Sequence, residues 1–530
     1  MRQPMGDLPR KKVWLTSLGL ALIGGLAAYL AFPPHDHWVL APVACAVLWL
    51  ALARLNAWRG WLCAWLFAMV WFLPLFWWAH QAAGTVPWLA LSVASAALFG
   101  LMAPVWCGLR RALAKRPVWA AVCFATLVAG VDTLRSHVPF GGFPWGRLAF
   151  SQAGSPLGRW AWLAGAPWVS WCVALVGALL ASGFTLYRPH GWRWSGALLV
   201  AAVGVTTLPL VWPLGEGLPV GVVSVGAVQG NVTVSDQGLF AHQREVLNNH
   251  VTGTLELAAL GADLDLVIWP ENATDIDPQK DEAAAQAIEQ AASAVGAPIL
   301  LGAMEYTGHA HRYNLAMLWT PGQGVTAKYA KRHPAPFGEY MPGRGFFRLF
   351  TSKVDLVGTD MLAGQHVGLI NVPVVSLDRD VPLGVVICFE VAYDSLTAET
   401  VKAGAELLVV QTNNASFGHT SESLQQLAMS RLRAIELGRS TIQVSTVGVS
   451  AVIESNGRVT HQTGLFEPAV FTAELNLHQS RTPALYLGHP FSLVCLLAAA
   501  VLAAKAILDG WRRWSTTPRH RRRVKSSKVR

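Results

Sequence analysis

The sequence predicts a polytopic α-helical membrane domain of about eight spans joined to one large α/β domain. Three observations point there. The 530 residues are 53% hydrophobic and only 14% charged, whereas a soluble globular chain carries about 25% charged residues. The deficit is uneven: residues 1–213 are rich in Leu, Ala, Val and Trp and nearly free of acids, while 214–487 have an ordinary soluble composition. Within 214–487, short apolar strands alternate with helical runs, an α/β signature.

A membrane span needs about 20 apolar residues. Such stretches lie near 13–32, 38–54, 60–79, 87–109, 117–135, 160–187 and 193–213, with an eighth near 488–508. Arg10, Lys11 and Lys12 precede the first. Its apolar run exceeds the roughly 7–15 residues of a signal-peptide core, and more spans follow, so it reads as a retained helix. The expected organisation is a membrane domain at 1–213, an exported domain at 214–487, an eighth span at 488–508 and a basic tail at 509–530.

Basic residues orient the spans. They cluster at the N-terminus and in the connections holding Arg54 and Arg59, Arg110 to Arg116, and Arg188 and Arg193. The intervening connections "PPHDH" and "HQAAGTVP" have no Lys or Arg. This alternation places 214–487 on the extracytoplasmic face of a bacterial plasma membrane and the tail inside. Arg147 and Arg159, in the connection 136–159, depart from the pattern. The net charge of +10 is concentrated in the tail and in short loops. Positive-inside bias accounts for that placement, with anionic lipid as the partner and no nucleic acid.

In the exported domain, "VGVVSVGAVQGNV", "LDLVIWPE", "PILLGAMEY", "LGVVICFE" and "ELLVVQTNNASFG" read as strands. "REVLNNHVTGTLELAAL", "DEAAAQAIEQAASAV", "LTAETVKAGA" and "SLQQLAMSRLRAIELGR" read as helices. "STIQVSTVGVSAVIESNGRV" reads as a hairpin turning at Asn456-Gly457. Strands apolar on both faces imply a sheet covered by helices.

Two strands end in reactive groups: Glu271 in one case, Cys388 and Glu390 in the other. Strand C-terminal ends form the ligand crevice of open α/β folds. Six cysteines fall in predicted spans, and Cys388 is the only one in 214–487. It has no disulfide partner there, so it reads either as an inert buried thiol or as a nucleophile. A thiol needs a base, which Glu271 can supply. A lysine beside it, Lys331 rather than Lys328, stabilises a tetrahedral oxyanion. Cys, Glu and Lys together suit acyl transfer through a thioester. No paired-cysteine or clustered-histidine metal motif appears, nor a phosphate-cradling glycine loop, so neither metal nor cofactor is expected.

"WPE" at 269–271, "YAKRH" and "PFGEY" within 329–340, and "CFE" at 388–390 resemble the Glu–Lys–Cys motifs of the nitrilase superfamily. Their combination with seven spans before and one after resembles the apolipoprotein N-acyltransferase family. "AVQGN" at 227–231, "QTNNASFG" at 411–418, "RLRAIELGR" at 431–439 and "TVGVSAVI" at 446–453 follow in family order. "DTLRSHVPFGGFPW" with "SQAGSPLG" is similar to the family's outer-face loop. The resemblance implies an α-β-β-α sandwich for the exported domain. It also implies a ping-pong reaction: Cys388 takes an acyl chain from a membrane phospholipid and passes it to the amino group of a diacylated apolipoprotein. Glu271 is then the base, Lys331 the oxyanion partner, Glu339 a second glutamate orienting the lysine, and Glu390 a supporting carboxylate.

Two positions depart from the family pattern. Phe389 stands where Tyr is frequent, and no Trp follows "QGN", where Phe240 is the nearest aromatic. In "MPGRGFFRLFTSKVDLVGTDML", Phe346, Leu349 and Phe350 are candidates for contact with lipid or an acyl chain. His333, Asn413, Asn414, Arg431 and Arg433 read as structural. The alternatives are a membrane-tethered amidase using the same three residues, and a membrane scaffold with a degenerate domain.

Overall fold

The computed structural model describes residues 9–190, 192–211, 214, 218–232, 244–274, 276–308, 311–349 and 358–516. In lipid, each backbone polar group must be satisfied within its own segment, so apolar runs of this length become helices. Among the described residues seven helical stretches are long and apolar enough to span: 10–30, 57–75, 85–113, 117–135, 156–185, 192–211 and 484–512. An eighth apolar helix, Leu40–Leu52, has 13 residues and is shorter than expected. Turns at residues 31–35 and 38–39 delay its start, and the Asn56 side chain caps the next helix by accepting from Arg59 N at 3.0 Å. The stretch 85–113 divides into Thr85–Gly100 and Met102–Leu113. Pro104 explains the break, since it lacks the N–H that would bond to the Gly100 carbonyl.

The outermost helices carry bare apolar faces. Leu22, Val200 and Val501 are 48%, 72% and 68% exposed. Such continuous apolar surface suits acyl chains, not water, and the protein is a multi-pass membrane protein.

The α/β domain contains thirteen strands among the described residues. The first sheet is built from β1 (Gly221–Gln229), β2 (Leu266–Ile268), β3 (Ile299–Thr307), β4 (His311–Thr320), β5 (Gly324–Ala330) and β6 (Asp360–Met361). The second comprises β7 (Leu369–Val374), β8 (Arg379–Ile387), β9 (Leu407–Thr412), β10 (Thr441–Ser445), β11 (Ala451–Ile453) and β12 (Val459–Gln462). The last strand, β13 (Ala469–Leu477), returns to the first sheet beside β1. The orders are β13-β1-β2-β3-β4-β5, with β6 pairing β4, and β12-β11-β10-β9-β8-β7.

Val225, Ile268 and Leu318 of the first sheet meet Val385, Val409 and Val444 of the second in one core. Helices Glu245–Ala259 and Glu282–Val295 cover the first sheet through Leu247, Leu257 and Ile288. Helices Asp394–Lys402 and Glu422–Leu437 cover the second. The layering is therefore α-β-β-α. One expected hairpin is corrected: Asn456-Gly457 joins β11 to β12, while residues 446–450 form the loop between β10 and β11. Strands β4, β5, β6, β7 and β13 are not among those expected from the sequence.

Met429 and Leu432 of helix Glu422–Leu437 share one apolar cluster with Leu75, Phe150 and Val169 of the membrane domain. The helix is thus buried on both sides, and its polar residues are enclosed too. Arg433 donates to Glu436 at 2.5 Å and to Asp394 at 2.7 Å. Arg147 binds Asp394 through both carboxylate oxygens, at 2.9 and 2.7 Å, and Asp132 at 3.2 Å. Arg135 reaches Asp132 at 2.9 Å and the carbonyls of Phe143 and Trp145 at 2.7 and 2.6 Å. Arg147 is consequently an interior charge with its own carboxylates, not an exposed exception to the loop pattern. The helix Ala161–His190 bends at Ala164 and Gly165 to admit Glu436. A Cβ on Gly165, whose φ is +71°, would lie 2.8 Å from Glu436 Oε1.

Candidate active site

Three strand ends bring Glu271, Lys331 and Cys388 together. β2 stops at Ile268, and the turn that follows carries Glu271. β5 ends at Ala330, immediately before Lys331. β8, rich in β-branched residues and buried towards its end, stops at Ile387 and turns sharply at Cys388. Cys388 has φ of +52°, a left-handed conformation costing about 1–2 kcal/mol for a residue with a Cβ. Strain of this kind persists where the surroundings over-determine it.

Glu390 supplies that restraint. Its carboxylate is buried and accepts from Ile387 N at 2.8 Å, Arg332 N at 2.7 Å, His333 N at 3.2 Å and the Tyr329 hydroxyl at 2.9 Å. One side chain thereby ties the turn bearing Cys388 to the loop bearing Lys331. Burial raises the Glu390 pKa, while these donors oppose the rise. Glu390 is a clamp on the site.

Lys331 is 1% exposed. Its Nζ donates to Glu271 Oε1 at 3.1 Å and to Glu339 Oε1 at 2.7 Å. Burial favours the neutral amine, but the two carboxylates outweigh it and hold the ammonium well above its usual pKa. An ammonium has three donors, so among the described residues one remains without a side-chain carboxylate partner. The other Glu339 oxygen accepts from Ala335 N at 2.6 Å, which fixes the carboxylate that orients the lysine. Lys328 lies outside the site, paired with Glu305 at 3.3 Å.

Glu271 also accepts from Asn314 Nδ2 at 2.6 Å and from Asn413 N at 2.9 Å. Burial raises its pKa, and Lys331 opposes the rise. A carboxylate with a raised pKa is better matched to taking a proton near neutrality.

Cys388 is half-buried. Its packed surroundings push the thiol above its usual pKa, and the Glu271 charge adds to the rise; Lys331 and Thr412 act the other way. The resting group is therefore a thiol rather than a thiolate. Gln426 Nε2 contacts the sulfur at 3.8 Å. Gln426 Oε1 accepts from the Thr412 hydroxyl and from Asn414 Nδ2, both at 2.9 Å, so the amide orientation is set. No sequence signal marks Asn314, Asn413, Asn414 or Gln426 as functional. Asn413 and Asn414 read as turn formers, Asn314 lies in a strand without a clean period, and nothing in "SLQQL" distinguishes Gln426 from its neighbour.

Phe389 is buried and belongs to the boundary between domains. Its ring stacks on Trp145 at 5.6 Å and 9°, and on Phe143 at 5.7 Å and 21°, both from the membrane domain. Tyr393 donates its hydroxyl to the Gly142 carbonyl at 3.0 Å. His333 packs on Tyr393 with centroids 4.0 Å apart. Phe389→Ala is expected to cost about 3 kcal/mol, as a buried aromatic truncation does, and Phe389→Leu less than half of that. Thermal unfolding in detergent checks this; equal midpoints for both variants would remove packing as the role of the ring.

Phe346 and Leu349, in and just after helix Arg344–Arg348, are 61% and 79% exposed. Phe350 and Phe240 fall outside the described residues. Gln229 of "QGN" accepts from Ser450 and Thr463 at 2.6 and 2.8 Å and secures the 464–467 loop. Among the described residues no cluster of His, Cys, Asp and Glu suits a metal ion.

Comparison with known proteins follows the same division of the chain. The family model for the apolipoprotein N-acyltransferase N-terminal domain matches residues 24–179, and that for carbon-nitrogen hydrolase matches residues 224–482. The chain is 35% identical over 527 residues to an apolipoprotein N-acyltransferase of Mycolicibacterium smegmatis, covering 93% of this chain and 86% of the other. It is 31% identical over 531 residues to the apolipoprotein N-acyltransferase of Pseudomonas putida, covering 93% and 99%. Among solved structures, a nitrilase-superfamily amidase from Nesterenkonia sp. AN1 matches at TM-score 0.36 and 17% identity, over 52% of this chain and 95% of that one.

Proposed function

The chain belongs to the apolipoprotein N-acyltransferase family, and we propose that it carries an acyl chain from a membrane phospholipid to an apolipoprotein on a Cys388 thioester. The observation that carries this reading is the placement of the nucleophile. Cys388 sits with Glu271 and Lys331, and its neighbour Phe389 packs on Trp145 and Phe143 of the membrane domain. A water-soluble amide substrate has no use for such a position, whereas two lipid substrates require access from the bilayer.

In the first half-reaction Sγ attacks the ester carbonyl carbon of the phospholipid, and Glu271 takes the thiol proton. The carbonyl oxygen becomes an oxyanion beside the Lys331 ammonium. The C–O bond then breaks, Glu271 returns the proton to the departing alkoxide, and a lysophospholipid leaves. In the second half-reaction the α-amino group of the diacylglyceryl-cysteine attacks the thioester. Glu271 accepts a proton from nitrogen, the C–S bond breaks, and the thiol is restored. Glu339 keeps the lysine charged and aimed throughout.

The α/β domain and Cys388 are assigned to the extracytoplasmic face. The basic connections lie at the other end of the bundle, as positive-inside bias requires. Exposed Phe346 and Leu349 are assigned to contact with lipid. Burying one large apolar side chain contributes about 1.5–3 kcal/mol, and about 1.4 kcal/mol is tenfold in affinity. The double substitution Phe346→Ser and Leu349→Ser is expected to raise the apparent KM for vesicle phospholipid about tenfold and to leave kcat nearly unchanged. An unchanged KM would remove the two residues from lipid contact.

Mass spectrometry of the purified protein incubated with phospholipid tests the whole reading. An acyl adduct on Cys388 is expected, absent in Cys388→Ala, and discharged to a diacylated lipopeptide with a free amine. No adduct overturns the nucleophile. An adduct discharged only to water favours hydrolysis over transfer.

A further inference from the structure

The membrane helices surround a cavity of about 1150 Å³ at one end of the bundle. Its walls come from the start of helix Arg10–Leu30, the residues after Leu40–Leu52, the start of Ala57–Leu75, the end of Met102–Leu113 and the start of Pro117–Arg135. The other ends of these helices face the α/β domain: the Leu75 carbonyl accepts from Gln425 at 3.2 Å, and Arg135 joins the buried ion network. A 19-residue helix such as Pro117–Arg135 rises about 28 Å. The cavity is therefore on the far side of the bundle from Cys388, at headgroup depth.

Five arginines line it, Arg10, Arg54, Arg59, Arg110 and Arg111, and among the described residues no Asp or Glu does. Arg110 is held in place: its Nε donates to the Ala53 carbonyl at 2.7 Å and its Nη1 to the Cys107 carbonyl at 2.6 Å. Like charges gathered in one partly enclosed space repel unless an anion joins them. Trp49, Trp106, Leu55 and Leu113 form the apolar part of the wall. A free phosphate would leave that part unfilled, while a glycerol backbone and the first carbons of an acyl chain would cover it. Basic pockets between membrane helices on the positive side have the charge and depth for acidic lipid headgroups.

We propose that this cavity binds the phosphate headgroup of an anionic phospholipid from the leaflet opposite the catalytic domain. The site is separate from the acyl-donor site, and its ligand is not consumed.

Native mass spectrometry of the full chain in detergent tests this with three probes. They are diether phosphatidylglycerol, which has no ester to transfer, diether phosphatidylcholine, and inorganic phosphate. One phosphatidylglycerol per chain is expected, bound at least about tenfold tighter than phosphatidylcholine and not displaced by phosphate at equal concentration. Arg54→Gln with Arg111→Gln is expected to weaken it by about tenfold or more, since each basic residue near a lipid surface contributes appreciably. Both arginines are exposed, so the fold should tolerate their loss. An Arg10→Gln variant gives an independent check. Equal binding of the two lipids, or no change in either variant, overturns the proposal. Full displacement by phosphate overturns the lipid assignment. Acylation of Cys388 is read separately and should persist in these variants, so failure here leaves the transferase reading untouched.

Discussion

Replacing Glu271 by Gln is expected to slow acyl-enzyme formation by about 10³-fold, the middle of the range for a positioned general base. The substituted amide would keep an oxygen acceptor for Asn413 N and much of the packing, but it has no basic oxygen for the thiol proton. The requirement is acute because burial holds the Cys388 thiol above its usual pKa, so little thiolate exists before attack. Glu271 must be ionised to act, and its pKa lies above the ordinary glutamate value of 4.5. Acylation should therefore fall as the pH is lowered through that raised value, with an acid limb above pH 4.5. Single-turnover acylation across pH measures both effects. In Glu271→Gln the residual rate should lose the acid limb. A variant that keeps it would place the titrating base elsewhere, and a loss below about tenfold would remove Glu271 from the proton transfer.

Arg147→Met is expected to destabilise the folded protein by about 3 kcal/mol, the low end of the cost of breaking a buried ion pair, because each aspartate keeps another partner. Arg147 neutralises Asp132 and Asp394 at once, one from each domain. Without it Asp394 retains Arg433, and Asp132 retains Arg135 and the Ser170 hydroxyl. Arg147→Lys should recover only part of the loss, since one ammonium cannot replace Nε on Asp132 and Nη1 on Asp394 at once. Arg147→Met with Asp394→Leu should cost less than the sum of the single changes, because the two groups share one interaction. Detergent unfolding midpoints for the set check this, and additive costs would dissolve the network. The network's pH response has a definite sign. Burial raises the Asp394 pKa, but Arg147 and Arg433 outweigh it and hold the pKa down to about 2. A depressed carboxylate pKa gives stability that is present above the unfolded value of about 3.9 and lost as pH falls towards about 2.

The parts of the fold that were legible share one property: a local pattern dictates them. Seven long apolar runs could only be helices, and the apolar strands before Glu271 and Cys388 announced themselves by β-branched content. The misassigned parts are those where local pattern and tertiary role diverge. β4 and β5 carry Arg312, Tyr313, Asn314 and Lys328 among apolar residues, so neither period is clean. The turn at Asn456-Gly457 is a local signal, whereas the choice of the strands it joins is long-range. Helix Glu422–Leu437 is polar enough to look half-exposed, yet it is buried between the second sheet and the membrane domain.

The candidate site divides in the same way. Glu271, Lys331, Glu339, Cys388 and Glu390 stand at strand ends or in turns, where reactive side chains betray themselves by type. What they touch does not. Glu390 reads as a supporting carboxylate, and only the structure shows that it does so by clamping backbone N–H groups. Phe389 looked like a tyrosine without its hydroxyl and instead stacks on two aromatic rings of the membrane domain.

By itself the sequence determined that this chain crosses a membrane several times, carries an α/β domain, and holds one cysteine there with a glutamate and a lysine in nitrilase-like order. Apolar run length, strand periodicity and residue type are local quantities, readable without coordinates. Only the tertiary structure decided that Lys331 bridges two carboxylates, that Gln426 lies against the sulfur, and that Arg147 joins the domains through Asp132 and Asp394. Most of those contacts link residues far apart in the chain, and burial strengthens the attraction between their charges by removing competing water.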